Sequence, residues 1–244
     1  MRALSATELM SAWERGRSQT VLQRALTLLA SAWTDASPDQ LAQLSLGQRD
    51  GQLLTLREWA FGSQLKGVAA CPACSEKLEV EFDVSDIRVA AAPSLAEEFS
   101  IATKGYEIRC RLPNSADLFC LRADEEISAN ELRLLERCML SARSNGSEVT
   151  VDQLPKEVIN AVAKRMAEAD PQADVELALN CPACAHRWTA PFDIVSFFWT
   201  EINAWALRML REVHLLASAY GWSEKEILSL SPCRRQAYLE MIGA

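Results

Sequence analysis

A fourteen-residue segment of this chain occurs twice, and the repetition limits the fold more than any other feature. Cys71-Pro-Ala-Cys74-Ser-Glu-Lys-Leu78-Glu-Val80-Glu-Phe82-Asp83-Val84 aligns without a gap with Cys181-Pro-Ala-Cys184-Ala-His-Arg-Trp188-Thr-Ala190-Pro-Phe192-Asp193-Ile194. Each copy runs from a Cys-Pro-Ala-Cys turn into alternating apolar positions and ends on Phe-Asp and a β-branched residue. Two cysteines flanking a two-residue turn aim both sulfurs at one ion, and a tetrahedral zinc ion takes two such pairs. One site formed by Cys71, Cys74, Cys181 and Cys184, holding one Zn2+ per chain, is the economical expectation. Leu78, Val80 and Phe82 alternate with Glu79 and Glu81, which predicts a strand with one face turned inward.

The separation of the copies is unusual, since 106 residues lie between Cys74 and Cys181 and zinc ribbons usually place roughly 15 to 20 there. Closing so long a loop costs only about 4 kcal/mol, because the cost grows with the logarithm of length. Structural zinc supplies roughly 10 to 16 kcal/mol in small peptides. The result is a split ribbon, with halves at 65–84 and 174–194 and an insertion between them. Other readings of the pairs are unrelated reduced thiols, two separate sites, or a redox dithiol. A redox Cys-X-X-Cys relies on a following helix N-terminus to stabilise its thiolate, whereas both motifs here run into strands. Four thiolates also leave no open coordination position for catalysis.

Composition narrows the function. The chain has 244 residues, a net charge of −8, 49% hydrophobic and 24% charged residues, two His and eight Cys. That is the balance of a folded protein, and its acidity argues against a general polyanion binder. A zinc-ribbon nucleic-acid-binding protein remains the competing reading, and it would need Lys66, Lys77 and Arg187 to cluster. No secretory signal is visible, so the thiols are expected in a reducing cytoplasmic setting, where Cys pairs bind metal more often than they form disulfides. The apolar stretch 197–222 carries Glu201, Arg208, Arg211, Glu212 and His214, which predicts a buried helix rather than a membrane span. Neither a Gly-rich phosphate loop, nor H-E-x-x-H, nor G-x-S-x-G occurs, so no enzyme is predicted. Asp124-Glu-Glu126 and Glu97-Glu98 read as solvated faces. His186 reads as a solvent-facing residue beside the second pair, and Cys110, Cys120, Cys138 and Cys233 as small buried apolar residues.

Periodicity predicts an α+β chain, mainly helical, with a small antiparallel sheet and the split four-cysteine ribbon. Helices are expected at 5–16, 18–34, 38–44 and 46–61, with capping boxes at Ser5/Glu8 and Ser45/Gln48 and a stop at Gly62. A hairpin turns at Lys104-Gly105. Residues 113–170 read as helix, with a capping box at Ser128/Glu131, a start at Pro155 and a loop at Ser144–Glu148. Strand character returns at Asp174–Leu179, followed by a second short strand. A helix from Ser196 to Tyr220 ends at Gly221, Ser223/Glu226 caps a short one, and Ser231-Pro232 opens the last. Three regions follow: 1–64 helical, 65–195 the split ribbon with its insertion, and 196–244 helical. Trp199, Trp205 and Trp222 are candidate partner-binding residues, because Trp is enriched at interface hot spots.

The segments Arg111-Leu-Pro-Asn-Ser-Ala-Asp-Leu118, Asp170-Pro-Gln-Ala-Asp174, Cys181-Pro-Ala-Cys184 and Arg211-Glu-Val-His-Leu-Leu-Ala-Ser-Ala-Tyr-Gly-Trp-Ser-Glu-Lys-Glu-Ile-Leu228 resemble a family of bacterial proteins related to T-even phage baseplate hub assembly chaperones, encoded with phage-tail-like contractile injection systems. The resemblance implies assembly or structural work at a baseplate, with baseplate or tail proteins as partners. One departure concerns geometry. Many zinc knuckles place Gly after the second Cys, where positive φ is easy, but Ser75 and Ala185 stand here.

Overall fold

The computed structural model describes residues 1–89, 98–122 and 124–243. Four helices open the chain: α1 (Ala6–Gly16), α2 (Val21–Ala32), α3 (Pro38–Gln43) and α4 (Leu46–Phe61). A hairpin of β1 (Gln64–Ala70) and β2 (Lys77–Asp83) follows, then the short α5 (Val84–Ile87). The insertion comprises β3 (Glu98–Thr103), β4 (Tyr106–Arg111), α6 (Ser115–Leu118), α7 (Ile127–Cys138), β5 (Met139–Ser144), β6 (Ser147–Glu148) and α8 (Lys156–Ala169). A second hairpin, β7 (Glu176–Asn180) and β8 (Arg187–Pro191), precedes α9 (Ile194–Tyr220), α10 (Glu224–Ser229) and α11 (Pro232–Met241). The fold is α+β, mainly helical, and among the described residues every strand pair is antiparallel. It divides into two compact units, Met1–Ala36 with Ile194–Ala244, and Ser37–Asp193.

Helix starts follow the local chemistry. Ser5, Thr20, Ser37 and Ser45 each accept the N3 amide, and Glu8, Gln23, Gln40 and Gln48 reach back to the cap amide, satisfying donors that a helix start leaves orphaned. Gly62 and Gly221 end α4 and α9 at φ of 88° and 68°, a region open to Gly without a Cβ penalty.

In the first unit, α9 buries Phe198, Ile202, Ala206, Met209 and Leu216, and α1 and α2 pack on it. The indole of Trp13 donates to Asn203 Oδ1 at 3.0 Å. Trp199 is 8% exposed, carries the Arg24 guanidinium 4.5 Å above its ring, and fills the space at Gly16, where an added Cβ would lie 2.2 Å from it. Leu216, Ile227 and Leu239 form a second core that brings α10 and α11 against the end of α9. Leu207, Leu210 and Leu215 stay 38–44% exposed, so α9 is not covered on all of its apolar surface.

In the second unit, β3-β4-β5-β6 form one antiparallel sheet. Its core joins Phe99, Ile108 and Cys110 to Leu135 of α7 and to Val158 and Val162 of α8. The turn at Lys104-Gly105 falls as expected, with φ of 50° and 82°. The reading of 113–170 as helix broken by a loop is corrected, because Met139–Ser144 is a strand paired with β4 and Asn145-Gly146 is a two-residue turn into β6. Positive φ at both turn residues, 49° and 83°, is the hairpin geometry that Asn-Gly favours. The Ser128/Glu131 box is also displaced: α7 begins after Glu126, which makes no side-chain cap bond.

Three polar locks hold α4 to the elements around it. Arg57, 2% exposed, donates to the carbonyls of Gly62 and Gln64 at 2.6 Å each, fixing where β1 leaves the helix. Asp170, 3% exposed, accepts the Gly47 amide at 2.8 Å through Oδ2, adding a second side-chain cap to the start of α4. Pro113 accepts the Leu46 amide at 3.1 Å, and beside this third lock Asn114 donates to Gln43 Oε1 of α3 at 2.8 Å. Asn114 belongs to a buried cluster in which Asp117 accepts from Arg111, Arg137 and the Asn114 amide. Two segments of the resemblance, 111–118 and 170–174, are thus the polar seams that attach the insertion and the second hairpin to α4.

Candidate metal centre

The two hairpins are copies of one structure. In β1–β2 the register runs from Gln64↔Asp83 to Ala70↔Lys77, and in β7–β8 from Glu176↔Pro191 to Asn180↔Arg187. A constant offset of 110 residues relates them. Each loop is closed in the same way: the Cys71 amide donates to Glu76 O and the Ser75 amide to Cys71 O, at 2.9 and 2.8 Å. The Cys181 amide donates to His186 O and the Ala185 amide to Cys181 O, at 2.9 Å each. In each copy the first cysteine is buried and the second exposed. Ser75 and Ala185 adopt the positive φ usually given to Gly in such turns, 63° and 58°.

All four sulfurs lie within 4.8 Å of one another. The shortest approaches cross between copies, Cys71 to Cys184 at 3.7 Å and Cys74 to Cys181 at 3.6 Å. Exchanging the copies maps one of these pairs onto the other, which is an approximate two-fold relation. Phe82 and Phe192, equivalent in the repeat, meet edge to face at 5.6 Å. A tetrahedron with metal–sulfur bonds of about 2.3 Å has edges of about 3.8 Å, so the donor set fits a four-thiolate ion. Disulfides need sulfurs about 2.05 Å apart, which neither cross-pair approaches.

Without an ion, the four thiols compete for ionisation. Burial pushes Cys71 up, but amides of Cys74 and Ala73 and the Cys184 and Cys74 thiols outweigh it and hold it at about 7. At Cys74 the Glu76 amide lowers the pKa, yet the other three thiols and burial drive it up to about 12. Cys184 is also raised, with the His186 amide working against burial and the Cys181 and Cys71 thiols. Like charges so close disfavour joint ionisation, and a divalent cation removes that conflict.

The remaining sequence candidates sort differently. His186 is outside the sulfur cluster and stacks on Trp188 at 5.9 Å. Cys110 and Cys138 are buried, and burial pushes them up to about 11 and 12. Cys120 is half-buried and Cys233 is exposed, so the expectation of burial fails at Cys233. Glu125 pairs with Arg122 and Arg133, Glu98 pairs with Arg109, and Glu97 lies outside the described residues. Lys66 is held by Glu81 at 2.7 Å. Of the three tryptophans, Trp199 is a core residue of its unit, while Trp205 and Trp222 are half-buried. Trp222 packs with Tyr220 and Tyr238 at 4.7 and 4.8 Å. Neither the Arg111–Asp117 clamp nor the Asp170 cap is legible in the sequence, since neither spacing announces that an acid is buried.

Among known families, the model described as T4 bacteriophage base plate protein matches residues 5–199. The chain belongs to that family. The match spans both hairpins and the whole insertion, and it stops before the Arg211–Leu228 segment. No curated protein and no solved structure matches the chain. Among the described residues, no helix is long and apolar enough to cross a membrane. The base plate family supports a structural or assembly role.

Proposed function

We propose that this base plate family member is a non-enzymatic split zinc ribbon, acting as an assembly chaperone or structural component of a phage-like contractile tail baseplate. Cys71, Cys74, Cys181 and Cys184 hold one zinc, which joins hairpins that are distant in sequence and so fixes both ends of the insertion. The observation that supports this reading is the sulfur cluster, whose cross-pairs at 3.6 and 3.7 Å match the edges of a four-thiolate tetrahedron. Baseplate or tail proteins are the partners, met through protein surfaces that include half-buried Trp205 and Trp222. With all four coordination positions taken by thiolates, the ion would organise the fold and activate no water.

Metal analysis of untagged protein is expected to give one zinc per chain, with at least tenfold less in Cys71→Ser and in Cys181→Ser. Full zinc in both variants would refute the shared site. Purification from the native host is expected to bring contractile-tail proteins along, and their consistent absence would refute the baseplate role.

A further inference from the structure

We propose that the cleft between β2 and β7 is a strand-acceptor site that takes an extended, basic segment of a partner protein. The cleft, about 510 Å³, lies within the Ser37–Asp193 unit. Its walls are the consecutive residues Val80–Phe82 of β2 and Asp174–Leu179 around β7. The face of a sheet contributes every second residue, so consecutive lining means that the cleft runs along the strand edges.

Both edges carry free backbone groups. The Cys71–Glu76 and Ser63–Val84 amide bonds bracket the first hairpin, so Leu78, Val80 and Phe82 bond to β1, while Glu79 and Glu81 point their N–H and C=O outward. The Cys181–His186 and Val175–Phe192 bonds bracket the second, which leaves Glu176 and Ala178 pointing outward. Among the described residues, β2 pairs only with β1 and β7 only with β8. The outward edge of β8 includes Pro191, which has no N–H and closes that edge to pairing. The outward positions of β2 and β7 contain no proline.

Charge selects the occupant. The cleft is lined by Glu81, Asp86, Asp174 and Glu176 against Arg88 alone; Glu81 is paired with Lys66 at 2.7 Å and Arg88 with Glu58 at 2.9 Å, so the uncompensated acids are Asp174, Glu176 and Asp86, which also caps α5 by accepting the Asp83 amide. Asp174 and Glu176 have no basic partner among the described residues. Ile87, Val175 and Leu177 add apolar lining. A segment alternating basic and apolar residues would bond to both edges, set its apolar side chains on that lining and neutralise the carboxylates, which is the logic of β-augmentation. This names a partner chemistry for the baseplate role and rests on that role only for where the partner comes from.

The test uses full-length, metal-loaded protein and a fluorescent eight-residue peptide alternating Lys and Val, titrated by anisotropy at low and high salt. Binding is expected to weaken with salt, to weaken at least fivefold in Glu176→Lys, and to weaken at least tenfold in Ala178→Pro. The proline deletes a donor that the hairpin itself does not use. Metal content and melting temperature check the fold of each variant, and Glu176→Lys carries the test if Ala178→Pro does not fold. The cleft is refuted by no binding at 1 mM peptide, by equal binding of a Glu/Val peptide, or by insensitivity to the folded variants. It is equally refuted if the protein is a dimer that Ala178→Pro makes monomeric, since a second copy is then the occupant. Protein that co-purifies with tail proteins yet ignores the peptide would keep the baseplate role and overturn the cleft.

Discussion

Asp117 is the most consequential single carboxylate in the insertion, and replacing it with Asn leaves the shape nearly unchanged. The side chain is fully buried. It accepts from Arg111 Nη1 and Nη2 at 2.6 and 2.7 Å, from Arg137 Nε at 3.0 Å and from the Asn114 amide at 3.0 Å. Asn would present an NH2 to a set made only of donors. Losing one partner of a buried pair costs about 3 to 5 kcal/mol, but Arg111 and Arg137 keep 28% and 41% of their side chains in water and can rehydrate, which favours about 3 kcal/mol. The loss should depend on pH. Burial pushes the Asp117 pKa up, but Arg111, the Asn114 amide and Arg137 outweigh it and hold it below the ordinary carboxylate value. A folded pKa below the unfolded one gives stability that is whole above the unfolded value of about 3.9 and is lost as pH falls through the folded value. Urea unfolding followed by circular dichroism, with metal content held equal, should therefore show a constant deficit for Asp117→Asn from about pH 8 to 5 that shrinks below about pH 4. A deficit under about 1 kcal/mol at pH 7, or one unchanged down to pH 3, would refute this account of the cluster.

Two glycines of α4 should respond oppositely to the same change. A Cβ at Gly47 would lie 2.0 Å from Asp170 Oδ1, so Gly47→Ala should expel the cap and lower stability by about 2 kcal/mol. Gly51 has nothing nearer than 3.8 Å, and Gly51→Ala should raise stability by about 0.5 to 1 kcal/mol in the same thermal melts. At the knuckles, Ser75→Gly and Ala185→Gly should each relieve about 1 kcal/mol of left-handed strain, seen as slower metal loss to a chelator. Faster loss from either would mean that the turn does not hold its φ of 63° or 58° once metal is bound.

What could be read in the sequence was whatever depends on neighbours. The repeat placed Cys71, Cys74, Cys181 and Cys184 as one group, and the sulfurs do gather within 4.8 Å. Capping boxes at Ser5, Ser45 and Ser223 fall where the side chains predict, because a cap is settled within four residues. Strand β1 was harder to see, since Gln64-Leu-Lys-Gly-Val-Ala-Ala70 is small and polar and becomes a strand by pairing with β2. Strand β5 has no local signal for the same reason: Met139-Leu-Ser-Ala-Arg-Ser144 lacks alternation, and pairing with β4 supplies what propensity does not. The grouping of residues 1–36 with 194–244 was invisible, because helical periodicity shows that a face must be covered and not by what. Trp199 illustrates this. Its type suggested an interface, whereas its burial over Gly16 and beneath Arg24 makes it part of the interior.

That grouping has a consequence in time. Trp13, Leu28 and Leu29 of α1 and α2 are buried in a unit whose central helix is α9, and roughly 160 residues are synthesised between α2 and the start of α9. At about 5 to 20 residues per second, the amino-terminal pair waits roughly 10 to 30 s on the ribosome before its covering helix exists. The Ser37–Asp193 unit is finished in that interval. The first helices made are therefore among the last to be buried, and a growing chain displays an uncovered apolar hairpin that holdase chaperones can grip until Asn203 arrives to meet Trp13.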